Sequence, residues 1–124
     1  MKNNILVIED NPDNMALVEE ILEDAGFNIQ MAGRAEDGIE RLKQGGIDLV
    51  LMDVSLPDMD GLAATRIIRA DESLKEIPII GLSAHAMKDD KQAALDAGCN
   101  EYQTKPIDEN ALLKSIHQFL GTID

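Results

Sequence analysis

Tryptophan is absent from the 124-residue chain, and the other large aromatics amount to one Tyr and two Phe. Any core must therefore be aliphatic, and a 44% apolar content is enough to build one. Cysteine is almost absent as well. Cys99 alone excludes an intramolecular disulfide and a thiolate zinc site, and fits a reducing compartment. Basic residues are scarce: 11 Lys and Arg face 24 Asp and Glu, a net charge of -13. Such a surface repels phosphate backbones and anionic lipid, and favours cations and basic partner surfaces. Long hydrophobic runs are also missing. Ile5–Ile8 is followed at once by Glu9, too soon for a signal peptide or a membrane span. The expectation is a cytoplasmic protein that touches neither nucleic acid nor membrane directly. The length suits one domain, 1–124, and no linker, low-complexity stretch or output domain is expected.

Two kinds of segment alternate. Ile5–Ile8, Ile47–Met52 and Ile77–Leu82 are short apolar runs that read as strands buried on both faces, as in a parallel sheet. Phe27–Met31 and Glu101–Thr104 are weaker strand candidates. Between them lie helical patterns. Leu17, Val18, Ile21, Leu22 and Ala25 share one face of a first helix, with Glu19, Glu20 and Glu23 opposite. Ile39 and Leu42 mark a second helix and Leu62, Ile67 and Ile68 a third. Ala93–Leu95 mark a fourth, and Leu112, Leu113, Ile116 and Phe119 a fifth. Asp24-Ala25-Gly26-Phe27-Asn28 and Asp96-Ala97-Gly98-Cys99-Asn100 repeat one local text, with glycine in the left-handed position after a helix. Gly45-Gly46 ends the second helix in the same way. Strict alternation predicts an α/β fold, a doubly wound parallel sheet with helices on both faces. Ligands of such sheets lie beyond the carboxyl ends of the strands.

That edge is rich in charge. Glu9-Asp10-Asn11-Pro12 follow the first strand, Asp53 the third, Ser83 the fourth, and Lys105-Pro106 the fifth. The first loop has no glycine to cradle a phosphate and carries two negative charges instead. Crowded carboxylates either hold a proton or recruit a hard cation with oxygen ligands, Mg²⁺ first. Asp53 either caps a turn or supplies a carboxylate oxygen that attacks phosphorus. Lys105 is a point charge suited to neutralising the transferring oxygens, or else a surface lysine. Ser83 either donates to a phosphoryl oxygen or caps the following helix.

These residues resemble the response-regulator receiver domain of two-component signalling. The resemblance spans nearly the whole chain. It rests on Val7-Ile8-Glu9-Asp10-Asn11, on Met52 to Gly61 around Asp53, on Leu82-Ser83-Ala84, and on Lys105-Pro106. The text from Ala86-Met87-Lys88 to Lys105-Pro106-Ile107 looks most like DivK-type single-domain receivers, and receivers of hybrid histidine kinases share it. The resemblance implies a flavodoxin-like five-stranded sheet, order 2-1-3-4-5, with five helices. It makes Asp53 the phosphoacceptor, charged by a histidine kinase or phosphotransfer protein. Asp10, Asp53 and the Ser55 carbonyl would ligate Mg²⁺, or Mn²⁺ in its place, with Glu9 acting through water. Ser83 and Lys105 would bind the phosphoryl group, with Ala84 leaving room for it. Tyr102 would report the state of Ser83. Ser55 and His85 occupy positions that vary in the family and bear on the lifetime of the phosphorylated state. The resemblance also implies a cis Lys105–Pro106 bond. The output would be a downstream protein contact on the face of helix four, strand five and helix five, made by a monomer or weak dimer. Such a switch catalyses only its own phosphorylation and slow dephosphorylation.

Two other readings compete. Phosphatases of the haloacid-dehalogenase type also use a strand-end Asp and Mg²⁺, but need an acid two residues on, where Ser55 stands. A flavodoxin-like binding module fits the alternation, but not the acidic first loop. Met15, Met31, Met52, Met59 and Met87 read as packing. Cys99 reads as a small buried residue, and His117 as lying on the exposed side of the last helix.

Overall fold

The computed structural model describes residues 3–54, 60–83 and 88–120. Strands and helices alternate: β1 Asn4–Ile8, α1 Pro12–Asp24, β2 Asn28–Ala32, α2 Ala35–Lys43, β3 Leu49–Asp53 and α3 Gly61–Ala70. They continue as β4 Ile79–Ser83, α4 Lys88–Ala97, β5 Glu101–Thr104 and α5 Glu109–Leu120. The five strands form one parallel sheet in the order β2-β1-β3-β4-β5, as expected.

Side chains of each central strand alternate between two cores. Leu6, Ile8, Val50, Met52 and Ile79 point to one, which also takes Ile39 and Leu42 of α2, Ala64 and Ile68 of α3, and Ala94 of α4. Ile5, Val7, Leu49, Leu51, Ile80 and Leu82 point to the other, closed by Val18, Ile21 and Leu22 of α1 and Leu112 and Ile116 of α5. Burial on both faces is why these strands read as unbroken apolar runs. The cores are mainly aliphatic: Phe27 and Tyr102 are their buried aromatics, and Phe119 packs against the second. A fully buried Leu or Ile in them contributes roughly 1.5–3 kcal/mol.

Helix ends follow local chemistry. Asn11 caps α1, its side-chain oxygen accepting from the amides of Asp13 and Asn14, with Pro12 at the first helical position. The two similar texts close α1 and α4 alike. Phe27 N–H donates to Leu22 O and Gly26 N–H to Glu23 O; Cys99 N–H donates to Ala94 O and Gly98 N–H to Leu95 O. These are Schellman motifs, and they require the φ of +92° at Gly26 and +119° at Gly98. Beyond the second motif, Arg69 at the end of α3 ties three segments together. Its guanidinium donates to the carbonyls of Gly98, Lys75 and Ile77 and to the side chain of Asn100, at 2.6–2.9 Å.

Some helical expectations need correction. Leu17, assigned to the apolar face of α1, is 41% exposed, because Val18, Ile21 and Leu22 already fill the contact with the sheet. Ile67 and Leu95 are exposed too. His117 is half-buried, its ring tilted against Phe27 at 6.1 Å between centroids. Cys99 is buried and free, as expected.

Candidate functional site

Strand register assembles the site. Ile8 pairs with Met52, so Glu9 and Asp53 stand side by side at the carboxyl edge. Asp53 pairs with Leu82, placing Ser83 one residue further out, and Ser83 pairs with Thr104, placing Lys105 one beyond that. Asp53 and Ser83 are the last residues of their strands, held in extended backbone. Backbone bonds from Val54 N–H to Leu82 O and from Lys105 N–H to Ser83 O, the latter 2.7 Å, fasten the edge. The Lys105–Pro106 bond is cis.

Burial differs sharply among the charges. Glu9, Asp53 and Ser83 are buried, while Asp10 is exposed. One carboxylate oxygen from each of Glu9, Asp10 and Asp53 lies within 4.8 Å of the others. Lys105 Nζ is 2.7 Å from Glu9 Oε1 and 3.6 Å from Asp53 Oδ2. Glu9 Oε2 accepts the Asn11 amide at 3.3 Å. Burial pushes the Glu9 carboxyl up. A hydrogen bond shared with Asp53, bonds from Lys105 and the Asn11 amide, and the ammonium's charge more than offset it, so the group lies below the usual carboxylate range.

Three carboxylates against one ammonium leave excess negative charge at a partly buried site. The donors are all hard oxygens, which fits a divalent cation of the Mg²⁺ kind. Glu9, Asp10 and Asp53 together could hold such an ion.

Tyr102 is buried in the core on the α2–α3–α4 side of the sheet. It lines a hollow of about 210 Å³ together with Ser83, Val54, Asp60, Leu62, Asp90 and Ala93. Thus Glu9, Asp10, Asp53, Ser83 and Lys105 come together as expected, with Tyr102 behind Ser83. Ser55, Ala84 and His85 lie outside the described residues. One participant and one pairing were not anticipated. Asn11 both caps α1 and gives its amide to Glu9; the text Asn-Pro before a helical pattern was its signal. Glu9, not Asp53, is the nearer partner of Lys105, a choice the sequence does not encode locally.

A parallel 2-1-3-4-5 sheet with an acidic cluster and a lysine at its carboxyl edge is the arrangement expected of a receiver. The chain belongs to the response regulator receiver domain family, whose model matches residues 5–117. Sensor protein GacS of Pseudomonas syringae pv. syringae is 39% identical over 94% of this chain, which spans only 13% of that protein. The polar-differentiation response regulator DivK of Brucella ovis is 32% identical, with 98% of each chain covered. Among solved structures, the receiver domain of sensor histidine kinase PA1611 from Pseudomonas aeruginosa superposes with a TM-score of 0.90 at 34% identity, covering 98% of this chain and 100% of that one. That structure holds a magnesium ion in its active-site cleft. The chain is thus a receiver domain of two-component systems, similar both to a single-domain regulator and to receivers within sensor kinases. Among the described residues, no helix is long and apolar enough to cross a membrane.

Proposed function

We propose that Asp53 accepts a phosphoryl group from the phosphohistidine of a sensor kinase or phosphotransfer protein, and that the change at Ser83 and Tyr102 alters partner binding on the α4–β5–α5 face. The observation that carries this reading is the placement of Lys105. Its ammonium lies 3.6 Å from a buried carboxylate oxygen that already shares the edge with Glu9 and Asp10.

In the reaction an Asp53 oxygen forms a bond to phosphorus as the bond from phosphorus to the donor nitrogen breaks. The electron pair leaves with the imidazole, and nothing is oxidised or reduced. The product is an acyl phosphate. Asp10 and Asp53 would hold the Mg²⁺, with the Ser55 carbonyl as a further ligand and Glu9 acting through water. Bound there, the ion, or Mn²⁺ in its place, neutralises charge on the transferring oxygens. Lys105 supplies the complementary positive charge from the protein side and fixes the orientation of Asp53. The Ser83 hydroxyl donates to a phosphoryl oxygen. Drawing Ser83 toward the phosphoryl group vacates part of the hollow beside Tyr102, giving the ring a second position. The domain is thereby catalyst only of its own phosphorylation and slow dephosphorylation. It works in the cytoplasm as a monomer or weak dimer, through protein contacts rather than nucleic acid.

The test is labelling by a small phosphodonor, with and without chelator, of wild type and Asp53→Asn. Label that requires Mg²⁺ or Mn²⁺ and vanishes in the variant is expected. Stoichiometric, acid-stable label on Asp53→Asn overturns the assignment.

A further inference from the structure

We infer that Gly61, the first residue of α3, is a positioning residue that sets the placement of the phosphoacceptor by letting the helix lie directly on the backbone of Asp53. The inference rests on the reading of Asp53 as acceptor. Gly61 has no left-handed φ, so backbone freedom does not explain the glycine. Space does. A methyl group there would overlap the carbonyl oxygen of Asp53, and would sit 2.6 Å from Val54 Cα and 3.0 Å from the Asp53 carbonyl carbon. All three obstacles are backbone, so no side chain can turn away to make room.

Gly38 and Gly98 contrast with it. Their nearest neighbours are the side chains of Ile8 and Arg69, not backbone, and Gly98 is in addition required by its φ of +119°. The contact at Gly61 is also fastened. Gly61 N–H donates to Val54 O at 3.1 Å, and Thr65 Oγ1 donates to Gly61 O at 2.8 Å. Asp60 caps the same turn through the Leu62 amide. The end of β3 and the first turn of α3 are therefore one rigid piece.

Asp53 lies between two references. On one side its backbone pairs with β4, level with Leu82; on the other it bears α3. A methyl at 61 must lift the helix or rotate the Asp53 peptide, and either changes the line of approach of the carboxylate oxygen to phosphorus. In-line displacement is sensitive to such shifts.

The experiment uses a small acyl phosphate donor at saturating Mg²⁺. An Asp53 oxygen bonds to phosphorus while the donor's carboxylate leaves with the electron pair. Maximal labelling rates are compared for wild type, Gly61→Ala, Thr65→Val and Ile39→Val, alongside urea stability of each. Ile39→Val thins the core under α2, away from the acceptor, and controls for lost stability. Gly61→Ala is expected to label at least ten-fold more slowly while folded. Ile39→Val should keep the wild-type rate, and the two should show no common dependence of rate on stability. Thr65→Val removes the bond to the Gly61 carbonyl without adding volume, and should slow labelling two- to five-fold. It decides the question if Gly61→Ala does not fold. Wild-type rates in the folded Gly61→Ala, or in Thr65→Val where that decides, overturn the inference. Wild type that takes no label on Asp53 overturns the acceptor reading instead.

Discussion

Replacing Lys105 with Met keeps most of the aliphatic stem and removes the ammonium. Glu9 is then left 1% exposed and Asp53 4% exposed, without their common cation. Breaking a fully buried ion pair from one side costs about 3–5 kcal/mol. Lys105 itself is 17% exposed and Asp10 faces solvent, so water partly compensates, and the expected loss is about 2–3 kcal/mol at pH 7.5 in metal-free buffer. The pH dependence is the sharper test. In the wild type Glu9 lies below its unfolded value of 4.5, so it adds stability above that pH and withdraws it as pH falls through the folded pKa. Without Lys105 the desolvation of Glu9 is less opposed, the carboxyl rises, and a proton enters the site at higher pH. The penalty of the variant should therefore shrink on acidification, to about half by pH 5. Urea unfolding of both proteins between pH 7.5 and 5 measures it. A difference that stays constant, or that grows as pH falls, would refute the claim that Lys105 holds charged carboxylates together.

Three further outcomes are expected. Ser83→Ala should still accept label on Asp53 but lose the rise in partner affinity on phosphorylation, measured by titration with and without a beryllofluoride adduct; unchanged coupling would exclude the Ser83 route. His85→Ala should change the dephosphorylation rate several-fold and abolish its variation between about pH 6 and 7.5, near the unperturbed histidine pKa of about 6.5; equal decay curves would place His85 outside the chemistry. Cys99 is buried and its thiol is pushed up, chiefly by desolvation and against the effects of Thr65 and Arg69. Iodoacetamide should therefore modify it at least a hundred-fold more slowly than in urea. Because the unfolded thiol ionises first, folding stability should decline as pH rises above about 9.

Much of this architecture was open to reading because parallel strands buried on both faces leave unbroken runs of Ile, Leu and Val. Boundaries slipped by two residues where the runs met other constraints. Pro78 has no amide to give a ladder, so β4 begins at Ile79 and not Ile77. β3 begins at Leu49, where its pairing with Ile5 starts. The edge residues were legible because topology alone sends strand ends to one side. Which carboxylate takes Lys105 was not, since Glu9 and Asp53 both stand beside it and differ only as 2.7 Å against 3.6 Å. Nor was the exposure of Leu17, Ile67 and Leu95, because an apolar residue on a helix does not say what covers it. The sequence Asp60-Gly61 does not say what its glycine makes room for, and only the fold reveals the strand backbone beneath it.

The grip of Arg69 has a mechanical consequence. It fastens the carboxyl end of α4 to the start of β4 through Gly98 O and Asn100, whose side chain also takes the Ile79 amide. Nearer its amino-terminal end the same helix borders Ser83 through Asp90 and Ala93. A helix fixed at one end is a lever with its fulcrum there. Ten residues make an arm of about 15 Å, so a tilt of about 10° swings the free end by about 2.6 Å. A displacement of that size is comparable to a hydrogen-bond length and begins beside the site. On the proposed switch, an α4 anchored by Arg69 would travel most at its amino-terminal end and least at the anchor, which would set the part of the helix a partner can sense.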